Sequence, residues 1–277
     1  MDLFDRFLQE RTYLKGVSPQ TLRFYRGVGR AFSPILAEPT KDGMMECIQK
    51  LLADGVSPTS VNTYLRGLKA YARWLHSEGY LKTALAVQFL KTERKILASQ
   101  EQVRRLVNYK PNGRNLTRAH MATLVMLDCG LRASECLGLT SPDLDFDSLV
   151  IRVKGKGNKY RLVPMSIELR NALFRYCAKH PAQFIFATER GTRVTNRNFQ
   201  RDLKGMCERL GMTGVRCSPH TLRHTFAVSY LRHGGNLYYL SRILGHTSVK
   251  TTERYLGSLG VEDLRAVHDR LSLLGTA

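Results

Sequence analysis

Acidic side chains are scarce in this sequence, with 23 Asp and Glu set against 43 Lys and Arg over 277 residues. The formal charge of +20 favours a polyanionic partner, chiefly nucleic acid. The imbalance is not confined to a tail. Residues 1–90 hold 12 Lys and Arg against 8 Asp and Glu, and the remainder holds 31 against 15. A solvated basic arm would concentrate its charge at one end. Paired cysteines are missing as well. Cys47, Cys129, Cys136, Cys177, Cys207 and Cys217 form no C-x-x-C pair, and no Cys/His group has zinc-finger spacing. These thiols are expected to be reduced, several of them as small core residues. No apolar run approaches the roughly 18 residues of a membrane span, and no N-terminal apolar stretch precedes a cleavage site. The expectation is a soluble, intracellular, cytoplasmic protein with no membrane partner. Nucleotide and metal signatures are absent too. Gly155-Lys156-Gly157 lies between two strand patterns rather than between a strand and a helix, so it is not a phosphate cradle. No carboxylate cluster suits a magnesium nuclease, and neither metal nor cofactor is expected. The hydrophobic share of 43% excludes a disordered polymer, and the length allows two domains.

The first 87 residues read as helical. Phe4, Phe7, Leu8 and Leu14 give an apolar stripe at helical spacing. Gly-Val-Ser-Pro occurs at 16–19 and again at 55–58. In each copy Ser can cap a helix and Pro can occupy its first position. The helices that follow are basic and aromatic. Arg23 and Arg26 mark one, and Arg66, Lys69 and Arg73 the other. Their aromatics belong in a core, and their basic faces are either solvated or set against DNA phosphates. Residues 88–98 read as a charged linker, and Ser99 with Gln102 forms a capping box that opens a second domain over 99–277. There an apolar helix over 117–129 stops at Gly130. Strand patterns at 149–153 and 160–163 flank a glycine-bearing hairpin turn. Further helices are expected at about 166–179, 195–210, 219–233, 236–244, 248–256 and 261–274. The fold class is mainly α with a small antiparallel β-sheet: a helical bundle followed by a mixed α/β domain.

The side chains that could do chemistry are basic and phenolic. Arg132 follows a helix end and has Glu135 three residues on, ordinarily an i,i+3 ion pair. Lys156 tips the hairpin. His220 and Arg223 share the first turn of a helix capped by Ser218 and opened by Pro219, where the N-terminal field favours an anion. His246 follows Leu244-Gly245, and Tyr255 lies nine residues later. His224 reads as structural, and Tyr239, in an apolar helix, as core.

In this order the motifs resemble the tyrosine recombinases, also called the phage integrase family, over essentially the whole chain. The series is Gly-Leu-Arg-x-x-Glu, Gly-Lys-Gly hairpin, His-x-x-Arg, Leu-Gly-His and the following Tyr. Lys159, Arg161, Val163 and Pro164 fit its Xer-like branch. The resemblance implies an N-terminal core-binding domain and a catalytic domain. It implies site-specific strand cleavage and rejoining through a 3′-phosphotyrosine at Tyr255, with no ATP or metal. Two guanidinium forks, Arg132 and Arg223, match the non-bridging oxygens of a phosphodiester. His246 would add a donor, Lys156 would protonate the leaving 5′ oxygen, and His220 would act as base or position the phosphate. Glu135 would orient these groups. Leu264, Val267, Leu271 and Leu274 form an apolar stripe. That helix either docks on its own domain or, as the family implies, on a neighbour in a homo- or hetero-tetramer on synapsed DNA. Arg197, Gln200 and Arg201 are candidate base contacts, and Lys159 and Arg161 candidate DNA contacts. The DNA partner would be a duplex with inverted half-sites, and the protein nucleoid-associated. A type IB topoisomerase and a catalytically silent DNA-binding protein are the competing readings.

Overall fold

The computed structural model describes residues 2–91, 99–155, 160–212 and 216–271, without the side chains of Leu264, Arg270 and Leu271. Lys156, Lys159 and Leu274 therefore lie outside the described residues. The chain divides into two compact units, Met1–Arg94 and Lys95–Ala277.

The first unit is built from α1 (Leu3–Tyr13), α2 (Pro19–Ala31), α3 (Lys41–Ala53) and α4 (Pro58–Ser77). Both Ser-Pro pairs start helices. The Ser18 hydroxyl accepts from the Thr21 amide and the Ser57 hydroxyl from the Ser60 amide, each with Pro at the first helical position. Phe4, Phe7, Val28, Leu65, Leu68, Tyr71 and Trp74 form the buried core. The Tyr71 hydroxyl donates to Leu36 O at 2.9 Å, which satisfies its polar end inside that core. Leu14 departs from the expected stripe. The helix ends at Tyr13, so Leu14 falls on its cap and is 77% exposed. The unit also extends past residue 87. Asn62 exchanges two hydrogen bonds with the Leu90 backbone, at 2.9 and 2.7 Å, and so anchors part of the expected linker.

The second unit holds α5 (Gln100–Val107), α6 (Arg114–Cys129), α7 (Ala133–Cys136), β1 (Leu144–Asp145), β2 (Val150–Lys154), β3 (Tyr160–Pro164), α8 (Ile167–Lys179) and α9 (Asn196–Arg209). It continues with α10 (Pro219–Arg232), α11 (Leu237–Leu244), α12 (Lys250–Glu253) and α13 (Val261–Leu271). The strands form an antiparallel sheet in the order β1-β2-β3, with Val153 paired to Arg161. The short β1 was not legible in the sequence, being two residues long. Helix α6 runs through the core with Ala122, Val125, Met126 and Cys129 buried. The expected helix over 248–256 is interrupted. Four residues of α12 give way at Arg254–Tyr255 to a 3-10 turn over Leu256–Ser258. The β-branched run Val249, Thr251, Thr252 and the glycine at 257 weaken helix continuation there. Tyr239 is 62% exposed rather than core, because α11 buries Leu240, Ser241 and Leu244 on a different arc. Helix α13 lies against α10, with Arg232 Nε 3.1 Å from Asp263. No helix of the described residues is long and apolar enough to cross a membrane.

Gly130 ends α6 in the left-handed region at φ 63°. A Cβ there would drive into the Phe226 ring and the Leu244 side chain. Gly130→Ala is expected to destabilise the second unit by about 2–4 kcal/mol, combining the left-handed penalty with overpacking. Thermal unfolding should show a transition lowered by roughly 5–15 °C, and an unchanged transition would contradict the packing described.

Candidate active site

Four separated segments build one cluster around the Glu135 carboxylate. Arg132 is the N-cap residue of α7, and Glu135 sits one turn on. Arg161 comes from β3, where it shares a face with buried Val163. Arg223 lies in the first turns of α10. The C-terminus of α11 supplies backbone carbonyls, and Gly245 caps it at φ 66°.

Glu135 takes Arg132 Nη1 at 2.8 Å and the Arg132 amide at 2.8 Å. It takes Arg161 in a fork, with Nη1 to Oε1 at 3.0 Å and Nη2 to Oε2 at 2.9 Å. Arg223 Nη1 lies 4.0 Å from Oε2. The carboxylate is almost buried, and burial alone would raise its pKa. The hydrogen bonds and charge of Arg161, with those of Arg132, outweigh burial and hold it below the usual carboxylate range. Glu135 is therefore ionised at neutral pH.

The end of α11 does the rest of the work. Its last carbonyls have no partner within the helix and carry the negative end of its dipole. Ile243 O accepts from Arg161 Nε at 2.8 Å. Leu244 O accepts from Arg223 Nη2 at 2.8 Å and from Arg132 Nη1 at 3.3 Å. Arg223 also donates to Gly130 O at 2.9 Å. Gly245 is required at that corner twice over, since a Cβ would lie 2.9 Å from the Arg161 guanidinium. Burial first, and the charge of Arg132 second, lower the Arg223 pKa to about 10, so it stays charged at neutral pH. Three cations thus face one anion. Arg132 keeps 41% of its side chain exposed and is the open side of the cluster. The surplus positive charge makes this an anion site, and forked guanidinium donors match a phosphate.

His246 closes one side. Burial first, then Arg223, Arg132, Arg254 and Arg161, push its pKa down to about 4. The ring is neutral at pH 7. Its Nε2 sits 3.1 Å from Arg223 Nη2 and its Nδ1 sits 2.8 Å from Thr252 Oγ1. Arg223 can only donate, so Nε2 accepts and the ring proton resides on Nδ1.

Tyr255 is fully buried among Ala227, Val228, Leu231, Leu240 and Leu244. Its ring stacks parallel to His246 at 6.4 Å between centroids and lies 5.1 Å from the His224 ring. Its hydroxyl accepts from Arg254 Nη2 at 2.8 Å. The Tyr255 side chain is closed to solvent in this position. His220 is exposed at the first turn of α10.

The remaining candidates are dispersed. Arg161 is turned into the cluster by strand alternation. Arg23, Arg26, Arg66 and Arg73 are exposed on α2 and α4, and Arg66 and Lys69 lie over the Phe89 ring at 6.0 and 5.6 Å. Arg197, Gln200 and Arg201 are exposed on α9, where Arg201 bonds Asp202 at 3.0 Å. Sequence reasoning missed Arg254 and the α11 carbonyls, and read His224 as structural without its contact to Tyr255. The capped end of α11 beside a basic motif was the one signal for the carbonyls.

Residues 97–259 match the model of the phage integrase family. The chain is 31% identical to tyrosine recombinase XerC of Oceanobacillus iheyensis, over 91% of this chain and 90% of that protein. It is 30% identical to tyrosine recombinase XerD of Pseudomonas putida, over 96% of each. Among solved structures it is similar to the Tn1549 transposon integrase in complex with circular intermediate DNA, with a TM-score of 0.78, 21% identity and coverage of 98% and 100%. It is also similar to the XerA recombinase, with a TM-score of 0.56, 25% identity and coverage of 97% and 98%.

The His246 environment has a direct pH consequence. Its imidazole is expected to titrate near 4 in the DNA-free protein, and a bound phosphate should raise that midpoint by offsetting the arginines. Because the folded pKa lies below the unfolded value, His246 removes stability as pH falls from about 6.5 toward 4. NMR titration of the ring checks this, and a midpoint between about 6 and 7 without DNA would contradict the geometry.

Proposed function

The chain belongs to the phage integrase family and is a site-specific DNA recombinase of the tyrosine class, and on that premise we propose how its residues cut and rejoin DNA. Tyr255 is the nucleophile. Its oxygen attacks the scissile phosphorus, a 3′-phosphotyrosine forms, and a 5′-hydroxyl departs. The link retains the bond energy, so rejoining needs no ATP. Arg132 and Arg223 take the non-bridging oxygens and stabilise the charge that builds on them. His246 adds a donor once the phosphate raises its pKa. His220, at the exposed first turn of α10, serves as base or positions the phosphate, and Lys156 protonates the leaving oxygen.

The observation that carries this reading is the convergence of Arg132, Arg161, Arg223 and His246 on Glu135 and the α11 terminus, with Tyr255 stacked beside His246. A silent DNA-binding protein would have no need to hold three guanidiniums together. The likeness to Xer recombinases along nearly the whole chain disfavours the topoisomerase reading.

Double-stranded DNA is the partner, within the cytoplasm and at the nucleoid. The site would comprise two inverted half-sites. The exposed basic faces of α2 and α4, with Arg23, Arg26, Arg66, Lys69 and Arg73, would grip phosphates in the core-binding domain. Arg197, Gln200 and Arg201 would read bases, and Lys159 would contact the backbone. Arg161 would act inward, through Glu135. Four protomers, alike or of two kinds, would assemble on synapsed DNA through α13, which would exchange its present contact with α10 for one on a neighbour. Integration, excision and resolution are all served by this chemistry.

Incubated in EDTA with nicked duplexes carrying its binding site, the protein is expected to form an SDS-resistant adduct that Tyr255→Phe abolishes. An adduct that persists in the variant, or no adduct on a tightly bound site, would overturn the assignment.

A further inference from the structure

Arg254 lies outside the motif series, yet it touches the atom that must react. Its Nη2 donates to the Tyr255 hydroxyl at 2.8 Å. Its guanidinium carbon also sits 4.8 Å from the centroid of the Tyr255 ring. One cation therefore holds both the oxygen and the π face of a fully buried phenol. The two imidazoles beside that ring do not compete with it for charge. Burial first, and Arg254 second, lower the pKa of His224, and Arg254 contributes likewise at His246. Both rings are neutral packing partners at pH 7; Arg254 is the cation hydrogen-bonded to the phenol oxygen, and Arg223 acts on it through space.

We propose that Arg254 is a catalytic residue that donates to the attacking oxygen of Tyr255 and stabilises the negative charge developing on it. The proposal rests on Tyr255 being the nucleophile. In the step, the Tyr255 oxygen bonds to phosphorus, the bond from phosphorus to the 5′ oxygen breaks, the phenolic proton passes to His220 or water, and Lys156 protonates the departing oxygen. No co-reactant is needed. A donor already in place costs no reorganisation when the charge appears. Arg254 and Tyr255 are consecutive and sit where α12 breaks into a 3-10 turn. When this segment shifts to present the phenol, a donor anchored on the neighbouring residue travels with it. A group fixed on α10 or α11 would be left behind. Arg254 thus serves the nucleophile, while Arg132 and Arg223 serve the phosphate.

Single-turnover cleavage tests this with nicked duplexes carrying the site that the protein selects from random-sequence DNA. One set has oxygen, the other sulfur, at the bridging 5′ position of the scissile phosphate. A sulfur leaving group needs no protonation, so it separates nucleophile defects from leaving-group defects. At saturating protein, Arg254→Gln is expected to slow adduct formation about a hundredfold on both substrates, with DNA affinity little changed. Arg254→Lys, which keeps a charged donor, should recover part of the rate, and melting of each variant verifies folding. A rate for Arg254→Gln equal to or above the parent's would overturn the proposal, as would full recovery on the sulfur substrate. Tyr255→Phe runs alongside. An adduct from that variant would refute the nucleophile assignment itself, whereas an inert Tyr255→Phe beside an unaffected Arg254→Gln would refute only the role of Arg254.

Discussion

Three guanidinium groups share one carboxylate in this protein, and the surrounding fold is arranged to make that tolerable. Like charges a few ångströms apart repel strongly wherever water is thinned out. Glu135 cancels one of the three and bridges Arg132 to Arg161 directly. The dipole of α11 offsets more, through Ile243, Leu244 and Gly245 carbonyls. What remains is a deliberate surplus of positive charge, most open at Arg132. A phosphodiester bound there would supply the missing anion and relieve that repulsion.

Several local features follow from that constraint. The helix stop at Gly130 both turns the chain toward Arg132 and offers its carbonyl to Arg223. The stop at Gly245 frees carbonyls and leaves room for Arg161. The neutral state of His246 follows from the same crowd of arginines. A protonated ring would add a fourth cation where three already strain against one anion. Tyr255 lies beside this cluster, in an apolar pocket against His224 and His246. The Arg232–Asp263 ion pair couples the following helix to α10.

Much of this was legible in the sequence because it depends on local rules. Ser-Pro at two helix starts, Ser99 with Gln102, and Gly130 after an apolar helix are all capping signals, and each marks a helix end. The motif order singles out Arg132, Glu135, Arg223, His246 and Tyr255, which the fold brings near one another. The misreadings arose where tertiary contacts override local pattern. Leu14 fits the apolar period but lies beyond the last turn of α1. Tyr239 fits an apolar helix whose buried arc is set by Leu240 and Leu244. Arg161 is basic and exposed by type, yet strand alternation puts it on the face of Val163. Arg254 has no motif to announce it, since its contact with Tyr255 sits at a break in the helix that only the folded chain displays.

Glu135 is the group that orders the arginines. Glu135→Gln keeps the shape and removes the charge. At saturating protein, single-turnover cleavage of a nicked site should slow about a hundredfold, the cost of misplaced reacting groups. Affinity for the duplex should hold or rise, because one more positive charge goes unbalanced. Cleavage at the parent rate by a folded Glu135→Gln protein would show that the arginines order themselves, and would contradict the account at its centre.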